Sequence, residues 1–287
     1  VPVRNGGAGF RRCLESLRAV APPPREIVVV IDGDTDGSGR LAEEAGVRVI
    51  RLPQSGGPAA ARNVGTLAAT GEIVLFVDAD VAVPTKAVDL VAAAFHADPL
   101  LAACFGSYDD EPSEPNLLSQ YKNLQHHWVH QTGRQDASTF WAGCGAMRRS
   151  VFEEVGGFDE NYRTPSVEDI ELGRRLRRAG HPIRVLKGLQ VKHLKRWTVR
   201  SHLKAEFFGR ALPWTDLILA EGRIINDLNL TLASRLSVAL VWLLALTAPA
   251  TLARPGLWPV PAAVAGGLLG LNAAFYRFLY RKRGPLF

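Results

Sequence analysis

The sequence predicts an α/β fold in which a mostly parallel sheet is covered by helices. Three short runs of β-branched and aliphatic residues, at 27–31, 47–52 and 73–77, are typical of buried strands. Stretches with helical spacing of apolar residues separate these runs, and Gly or Pro stands at the junctions. Strand and helix therefore alternate at βαβ spacing, which favours parallel strands whose carboxyl ends bind the ligand.

Each element follows from a local pattern. Phe10, Leu14 and Leu17 share one face of a helix predicted over 9–20, and three consecutive prolines end it before the strand at 27–31. A Gly-rich acidic turn and a helix near 41–45 lead into the strand at 47–52. A Gly-Gly-Pro turn then opens a helix over 59–69, and Thr70-Gly71 ends this helix before the strand at 73–77.

Composition restricts the class of protein. The chain has 287 residues, and a hydrophobic content of 47% is ample for a core. The net charge of +6 comes from basic residues that concentrate at 148–204 and 277–283, beside apolar segments, so we expect a membrane surface as partner and no nucleic acid. Three scattered cysteines exclude a disulfide framework and favour a reducing compartment. Residues 1–3 have the pattern of a strand already under way, so we expect a trimmed N-terminus.

Two uncharged stretches near the C-terminus predict membrane spans. Residues 236–253 form a run of 18 and residues 256–276 a run of 21, each near the length that crosses ~30 Å of hydrocarbon. Arg223 and Arg235 precede the pair and Arg277 and residues 281–283 follow it, which predicts that both ends face the cytoplasm. We therefore expect a multi-pass protein of the inner membrane with its catalytic domain in the cytoplasm. A pair of buried helices in a soluble protein is the alternative.

An acidic triplet, Asp78-Ala79-Asp80, follows the strand at 73–77. Carboxylates at the carboxyl edge of a sheet suit a hard divalent cation that carries phosphates. The turn at 32–43 matches the spacing of a calcium-binding EF-hand loop as well, but a strand rather than a helix enters it. We therefore interpret that turn as a ligand-binding loop between a strand and a helix.

Five motifs in this order resemble the family 2 glycosyltransferases, over residues 2 to about 197. They are Asp32-Gly33-Asp34-Thr35-Asp36-Gly37-Ser38, Gly57-Pro58-Ala59-Ala60-Ala61-Arg62-Asn63, Asp78-Ala79-Asp80, Gly156-Gly157-Phe158-Asp159-Glu160 and Glu168-Asp169. The resemblance implies the GT-A fold of nucleotide-diphospho-sugar transferases, a Rossmann-like mixed sheet with helices on both faces.

The resemblance also implies the donor site. Asp32, Arg62 and Asp34 would contact the nucleotide, although Ile31 stands where relatives often have a second acidic residue. Asp78 and Asp80 would hold the ribose and the metal-bound diphosphate. His193 would complete the shell of a Mg²⁺ or Mn²⁺ ion, of which Mn²⁺ accepts imidazole more readily.

The acceptor side comes from the second half of the resemblance. Asp169, with Glu168 beside it at the start of a helix over 170–179, would be the general base of an inverting transfer. A helix start by itself keeps a carboxylate ionised, so the base strength of Asp169 must come from burial or positioning. Four residues would contact the acceptor, namely Trp141, Gly143, Arg196 and Trp197.

Two further segments have helical patterns. Residues 117–130 contain His126, His127 and His130 without carboxylates at matching spacing, which indicates an amphipathic helix rather than a metal cluster. Residues 198–214 mix basic and apolar side chains, which predicts a helix that lies on anionic lipid. A solvated helix covering the catalytic domain is the alternative.

The sequence thus predicts four parts: a GT-A catalytic domain at 1–197, an interfacial segment at 198–233, two transmembrane helices at 234–280 and a basic tail at 281–287. The predicted function is an inverting, metal-dependent transfer of a sugar from a nucleoside-diphosphate sugar to a hydroxyl of a lipid, lipid-linked or glycan acceptor at the membrane. A processive polysaccharide synthase is one alternative, although the glutamines typical of those enzymes are absent near Arg196-Trp197. A nucleotide-sugar-binding membrane protein without turnover is the other.

Overall fold

The computed structural model describes residues 1–222, 224–285 and 287. It divides into two compact units, Val1–Arg223 and Ile224–Phe287. Arg223 and Leu286, which the sequence places in the basic flank and in the tail, lie outside the described residues. The first unit is α/β and the second is helical.

Twelve α-helices and eight strands form the described part of the chain. The strands are β1 (Pro2–Val3), β2 (Val28–Ile31), β3 (Arg48–Arg51), β4 (Ile73–Val77), β5 (Val81–Ala82), β6 (Ala103–Tyr108), β7 (Cys144–Arg148) and β8 (Ile183–His193). The helices of the first unit are α1 (Gly7–Arg18), α2 (Ser38–Glu44), α3 (Gly57–Ala68), α4 (Ala87–Ala97), α5 (Leu117–Thr132), α6 (Arg149–Glu154), α7 (Glu168–Arg178), α8 (Val199–Glu206) and α9 (Leu212–Glu221). The second unit contains α10 (Leu232–Ala253), α11 (Pro259–Leu271) and α12 (Ala273–Arg283).

The strands form two sheets, and only the first agrees with the prediction of mostly parallel strands. Strands β1, β2 and β3 are parallel and adjacent in that order. The second sheet has the order β4-β7-β6-β8-β5, in which only β6 and β8 run parallel. The prediction of parallel pairing fails after β4. Strand β7 lies between β4 and β6 and runs antiparallel to both. The fold is therefore mixed α/β, as the resemblance implies.

The core of the first unit forms where the predicted apolar faces meet. Phe10, Leu14 and Leu17 of α1 are buried with the inward residues of β2. A second group of aromatic rings joins Phe76 of β4 to Phe140 and Phe158 with ring centroids 6.2 and 5.3 Å apart, nearly edge to face. Edge-to-face rings add a small stabilisation to their buried area. This packing fixes the carboxyl end of β4 beside the loops that precede β7 and α7.

The segment after β8 packs on α7. The hydroxyl of Ser166 donates to the carbonyl of Gly209, 3.0 Å away, in a π-helical turn at Phe207–Ala211 that joins α8 to α9. At the end of α9, Glu221 forms ion pairs with Arg174 and Arg178 of α7, at 2.7 and 2.8 Å. The first compact unit therefore continues past residue 197. Its outer side still exposes six large apolar side chains: Val199, Leu203, Phe207, Phe208, Leu212 and Leu219.

The second unit contains one continuous helix of spanning length. Helix α10 has 22 residues, a mean hydropathy of 2.0 and no buried residue in its apolar window. The second predicted span is not one straight helix, because α11 and α12 meet at an angle of 66° around Asn272. By length and composition the described residues therefore offer one membrane span, or two if the bent pair crosses as one.

Candidate active site

The carboxyl end of β4 brings Asp78 against the loop before β7. Strand β4 pairs antiparallel with β7, so Val77 lies opposite Cys144. One step further, the amide of Asp78 donates to the carbonyl of Gly143 at 3.1 Å. The ladder thus places the acidic triplet beside Trp141 and Gly143, which the sequence assigns to the acceptor side.

Arg62 joins this strand end to the start of α7. Its guanidinium, with a side chain only 6% exposed, donates to Asp78 Oδ1 at 2.8 Å and to Glu168 Oε1 at 2.9 Å. Burial alone would lower the pKa of Arg62, but Asp78 and Glu168 outweigh it and raise this pKa. Glu168 also accepts from the amide of Ser166 at 2.8 Å. Arg62 and Glu168 therefore form a buried brace that fixes the first turn of α7.

Asp169 follows directly in this turn. Its Oδ2 accepts from the amide of Ala142 at 3.1 Å, and its Oδ1 from the amide of Ile170 at 2.8 Å. Burial, followed by the negative charge of Glu168, raises the pKa of Asp169 to about 7, against lowering contributions from the Ala142 amide and Arg62. A carboxylate of this pKa can accept a proton near neutral pH.

Asp80 and His193 meet through a second strand pair. Strand β5 pairs antiparallel with β8, and Val81 lies opposite His193, so Nε2 of His193 lies 3.7 Å from Oδ2 of Asp80. Burial would raise the pKa of Asp80, but His193 and then Lys195 outweigh it and lower the pKa to about 2. Asp80 thus remains an ionised carboxylate beside an imidazole, and its side chain is 36% exposed.

These two groups suit a divalent ion, although they do not complete a site. Among residues 1–222, 224–285 and 287, no three His, Cys, Asp or Glu side chains are grouped as metal ligands. Asp78, the third predicted ligand, contacts Arg62 instead. An ion at Asp80 and His193 would therefore need further oxygen ligands, which diphosphate oxygens or water supply readily.

Tyr108 is a central residue that the sequence patterns missed. It ends β6, and its ring stacks on His193 with centroids 4.2 Å apart and planes 11° apart. Its pKa is raised well above 10, mainly by burial and then by the charges of Asp80 and Asp78, with Asp169 contributing and Arg210 opposing. No signal in the sequence points to Tyr108, because the strand that it ends lacks a run of β-branched residues.

The carboxylates of Asp32 and Asp34, in the acidic turn after β2, accept hydrogen bonds from other parts of the chain. Asp32, which is buried, accepts from the amides of Gly56 and Gly57 at 2.7 and 3.1 Å and from the hydroxyl of Ser55 at 3.1 Å. Gly57 has a φ of +87°, and a Cβ there would lie 2.3 Å from the carbonyl oxygen of Arg163. Asp34 accepts from the amide of Gly39 at 3.0 Å. Both carboxylates shape the loops around the site, and their contact with a nucleotide stays a prediction.

The structure gives the four predicted acceptor residues different surroundings. Trp141 is half-buried, and its ring fills the space beside Gly143, where a Cβ would lie 2.5 Å from the indole. Trp197 is buried, its amide donates to Ser119 Oγ at 2.7 Å, and its ring lies under the Lys195 ammonium. Arg196 is exposed. Of the four, Trp141 and Gly143 border the carboxylates.

The predicted amphipathic helix is α5, and its histidines have structural partners. His127 and His130 each place Nδ1 against a carbonyl of β6, at 2.8 and 3.0 Å. His126 lies between the rings of Tyr108 and Trp141, at centroid distances of 4.2 and 4.6 Å. The predicted helix is thus confirmed, although its buried residues are mostly polar, and the ring of His126 also reaches the site.

Two family models match the chain. Residues 1–156 match the model described as Glycosyl transferase family 2, and residues 123–198 match the N-terminal domain of galactosyltransferase. A pre-mycofactocin glycosyltransferase of Mycobacterium tuberculosis is 30% identical over 226 residues, or 74% of this chain. The chain spans 46% of that relative's length.

Two solved structures share the fold. The mannosyltransferase PcManGT from Pyrobaculum calidifontis, in complex with GDP-Man and Mn²⁺, has a TM-score of 0.55 at 20% identity, over 93% of this chain and 85% of its own. TarS of S. aureus, residues 1–349 with UDP-GlcNAc, has a TM-score of 0.54 at 22% identity, over 70% of this chain and 59% of its own.

Proposed function

Because the chain belongs to glycosyl transferase family 2, we propose that it transfers a sugar from a nucleoside-diphosphate sugar to a hydroxyl group with Asp169 as general base. The family and the GT-A fold predicted from the sequence are both confirmed by the comparisons. The observation that carries the proposal is the raised pKa of Asp169, in a turn that Arg62 and Glu168 connect to the carboxylate of Asp78.

The reaction requires a base on one side of the sugar and a leaving group on the other. The acceptor oxygen attacks the anomeric carbon as the bond to the diphosphate breaks, and its proton passes to Asp169. Attack from the face opposite the leaving group inverts the anomeric centre. A pKa of about 7 lets Asp169 be ionised before the step and protonated after it at neutral pH. We assign Glu168, predicted as a catalytic partner, the task of positioning Asp169 through Arg62.

On the donor side, Asp80 and His193 would hold the divalent ion and Asp78 would reach the ribose. When bound, the ion would neutralise the charge that develops on the leaving diphosphate. The Mn²⁺ of the Pyrobaculum mannosyltransferase complex and the nucleotide sugars of both neighbours support this assignment by analogy. The exposed carboxylate of Asp80, ionised at every physiological pH, supports it independently.

We propose that transfer occurs at a membrane, with a lipid or lipid-linked acceptor. The apolar and unburied helix α10 supports an anchor. The exposed apolar side chains of α8, the π-helical turn and α9 support an interfacial segment, because six such residues on one segment are costly to leave in water. The predicted boundaries at 197, 233 and 280 and the cytoplasmic orientation belong to this proposal.

The test combines donor binding with turnover. We expect the detergent-solubilised chain to gain thermal stability from one of UDP-, GDP- or dTDP-sugars in the presence of Mn²⁺, because a ligand of the native state raises stability. We expect Asp169→Asn to keep this shift and to release nucleoside diphosphate at least ~10²-fold more slowly, since a general base contributes about that much. Glu171→Gln, which removes a carboxylate from the same turn, is the control. Near-normal turnover of Asp169→Asn would reject Asp169 as the base, and the absence of any nucleotide shift would reject the donor assignment.

A further inference from the structure

Two cations near the site share a single carboxylate. Glu206, at the end of α8, accepts from the Lys122 ammonium of α5 at 2.9 Å and also from the Arg210 guanidinium. Among the described residues, Lys122 Nζ also donates to the neutral amide oxygen of Gln125, at 3.3 Å. In the described part of the chain, the cluster of Lys122, Glu206 and Arg210 thus pairs two cations with one carboxylate.

Lys122 is withdrawn from water, which makes the excess charge costly. Its side chain is 14% exposed, and its pKa is lowered by burial and then by the charge of Arg210. A buried cation normally has matching anions around it. Arg210, in contrast, keeps 41% of its side chain exposed and so can accept a further anion.

A π-helical turn presents Arg210. Phe207–Ala211 interrupts the run of helix from α8 to α9, and the Ser166 hydroxyl ties Gly209 to the loop just before Glu168 and Asp169. Such turns are often found at functional sites, because they redirect one side chain. The turn thus fixes the cluster to the element that carries the proposed base.

The cluster faces the reaction centre through two rings. The charge of Arg210 acts on Tyr108, which the carboxylates of Asp80, Asp78 and Asp169 also reach. Lys122 and Arg210 both act on His126, which packs against Tyr108 and Trp141. Nε2 of His126 is enclosed and has no hydrogen-bond partner among the described residues. Tyr108, His126 and Trp141 pack against one another, and the carboxylates and the cations act on this one group of rings.

We propose that Lys122 and Arg210, held by Glu206, form an anion-binding wall of the transferase site that receives a phosphate group of a substrate. This inference rests on the proposed function and extends it to the chemistry of the substrates. Arg offers paired N–H donors that match a phosphate, and Lys adds a point charge. The phosphate has two possible sources: the acceptor, as a phosphorylated lipid, or the diphosphate of the donor.

The experiment measures binding of defined phosphate probes to the full chain in detergent by calorimetry. The probes are inorganic pyrophosphate, UDP and GDP with Mn²⁺, and citronellyl phosphate with citronellol as its uncharged counterpart. We expect Arg210→Gln to lower the affinity for at least one phosphate probe about tenfold, which is the effect of losing one charged hydrogen bond. Lys122→Gln should lower the affinity for the same probe. Arg149→Gln is the matched control, because Arg149 also pairs with a glutamate four residues away and is similarly exposed, at 38%.

Each outcome either supports or overturns the inference. A loss confined to citronellyl phosphate supports an acceptor phosphate, and a loss confined to the nucleotides supports the donor diphosphate. Unchanged affinities in both glutamine variants, an equal loss in Arg149→Gln, or no binding of any phosphate probe by the wild-type chain would overturn the inference. Should Arg210→Gln not fold, Arg210→Lys takes its place, and unchanged affinities there and in Lys122→Gln would also overturn it. If the wild-type chain binds pyrophosphate but no nucleotide, and Arg210→Gln abolishes this binding, the proposed function is rejected and the anion-binding site is supported.

Discussion

Replacing Asp169 with asparagine should stabilise the protein above neutral pH and slow its turnover at least ~10²-fold. The structure places this carboxyl group in a half-buried turn beside the negative charge of Glu168, and both features oppose its ionisation. Ionisation of Asp169 therefore lowers the stability of the folded protein. Asparagine retains an oxygen that can accept from the Ala142 amide and lacks the charge.

The size and the pH dependence follow from the pKa. A rise from the ordinary value of 3.8 to about 7 corresponds to at most about 4 kcal/mol, and partial exposure to water reduces our expectation to about 1–3 kcal/mol. Because the folded-state pKa is raised, both states are protonated below about pH 4 and no penalty exists there. The penalty grows between about pH 4 and 7 and is complete above pH 7.

The assay compares melting temperatures of the catalytic unit in wild type and Asp169→Asn at pH 4.5 and pH 8. We expect a gain at pH 8 of about 2–4 °C per kcal/mol, and a clearly smaller gain at pH 4.5. Asp89→Asn, which removes an exposed carboxylate from the first turn of α4, should give no such difference. The turnover rate of wild type should rise with pH up to about 7 and then level. A variant that is equally or less stable than wild type at pH 8 would refute the assigned environment of Asp169.

Three further predictions concern the residues around this base. Arg62→Met should destabilise the protein by about 3–5 kcal/mol in denaturant unfolding, because it leaves Glu168 buried without its partner; the double variant Arg62→Met/Glu168→Gln should recover part of the loss, and its failure to do so would contradict the brace. Asp80→Asn should abolish the Mn²⁺-dependent part of the thermal shift with a nucleotide sugar and leave the metal-independent part; an unchanged Mn²⁺ effect would exclude Asp80 as a ligand. Gly173→Ala, within α7, should destabilise the protein by about 1–3 kcal/mol although alanine favours helices, because its Cβ would lie 2.2 Å from the backbone nitrogen of Phe140. Gly188→Ala, where nothing lies within 4 Å of the added Cβ, is the control. Equal melting temperatures for the two variants would show that the loop before β7 moves to accommodate the Cβ.

Local patterns predicted most of the elements up to β4. The strands at 28–31, 48–51 and 73–77 and the helices α1, α3 and α7 begin and end within about two residues of the predicted positions. Apolar periodicity and Gly or Pro at the junctions act over a few residues, so a sequence reveals them directly. Strand β6 was missed because its sequence contains Gly and Ser and no β-branched residue, so it lacks the continuous β-branched run that marks the other buried strands.

Partnerships between distant residues could not be predicted in the same way. Arg62 and Glu168 are 106 positions apart, and Asp32 of the first motif accepts from the amides of Gly56 and Gly57, 24 and 25 positions away. The segment after 197 was predicted to lie on lipid, yet Ser166 and Glu221 tie its inner side to the catalytic unit. Amphipathic spacing indicates that a helix has an apolar face and a charged face but does not identify what covers either one.

The sequence by itself determined the family, the order of its motifs and which residue types stand at the strand ends, because composition and local spacing are properties of the chain alone. The tertiary structure decided what those residues do. Strand pairing placed His193 beside Asp80, and the buried pair of Arg62 and Glu168 fixed the turn of Asp169. The π-helical turn placed Arg210 where its charge acts on Tyr108. A pKa depends on burial and on the charges within a few ångströms, and only the folded chain sets those distances.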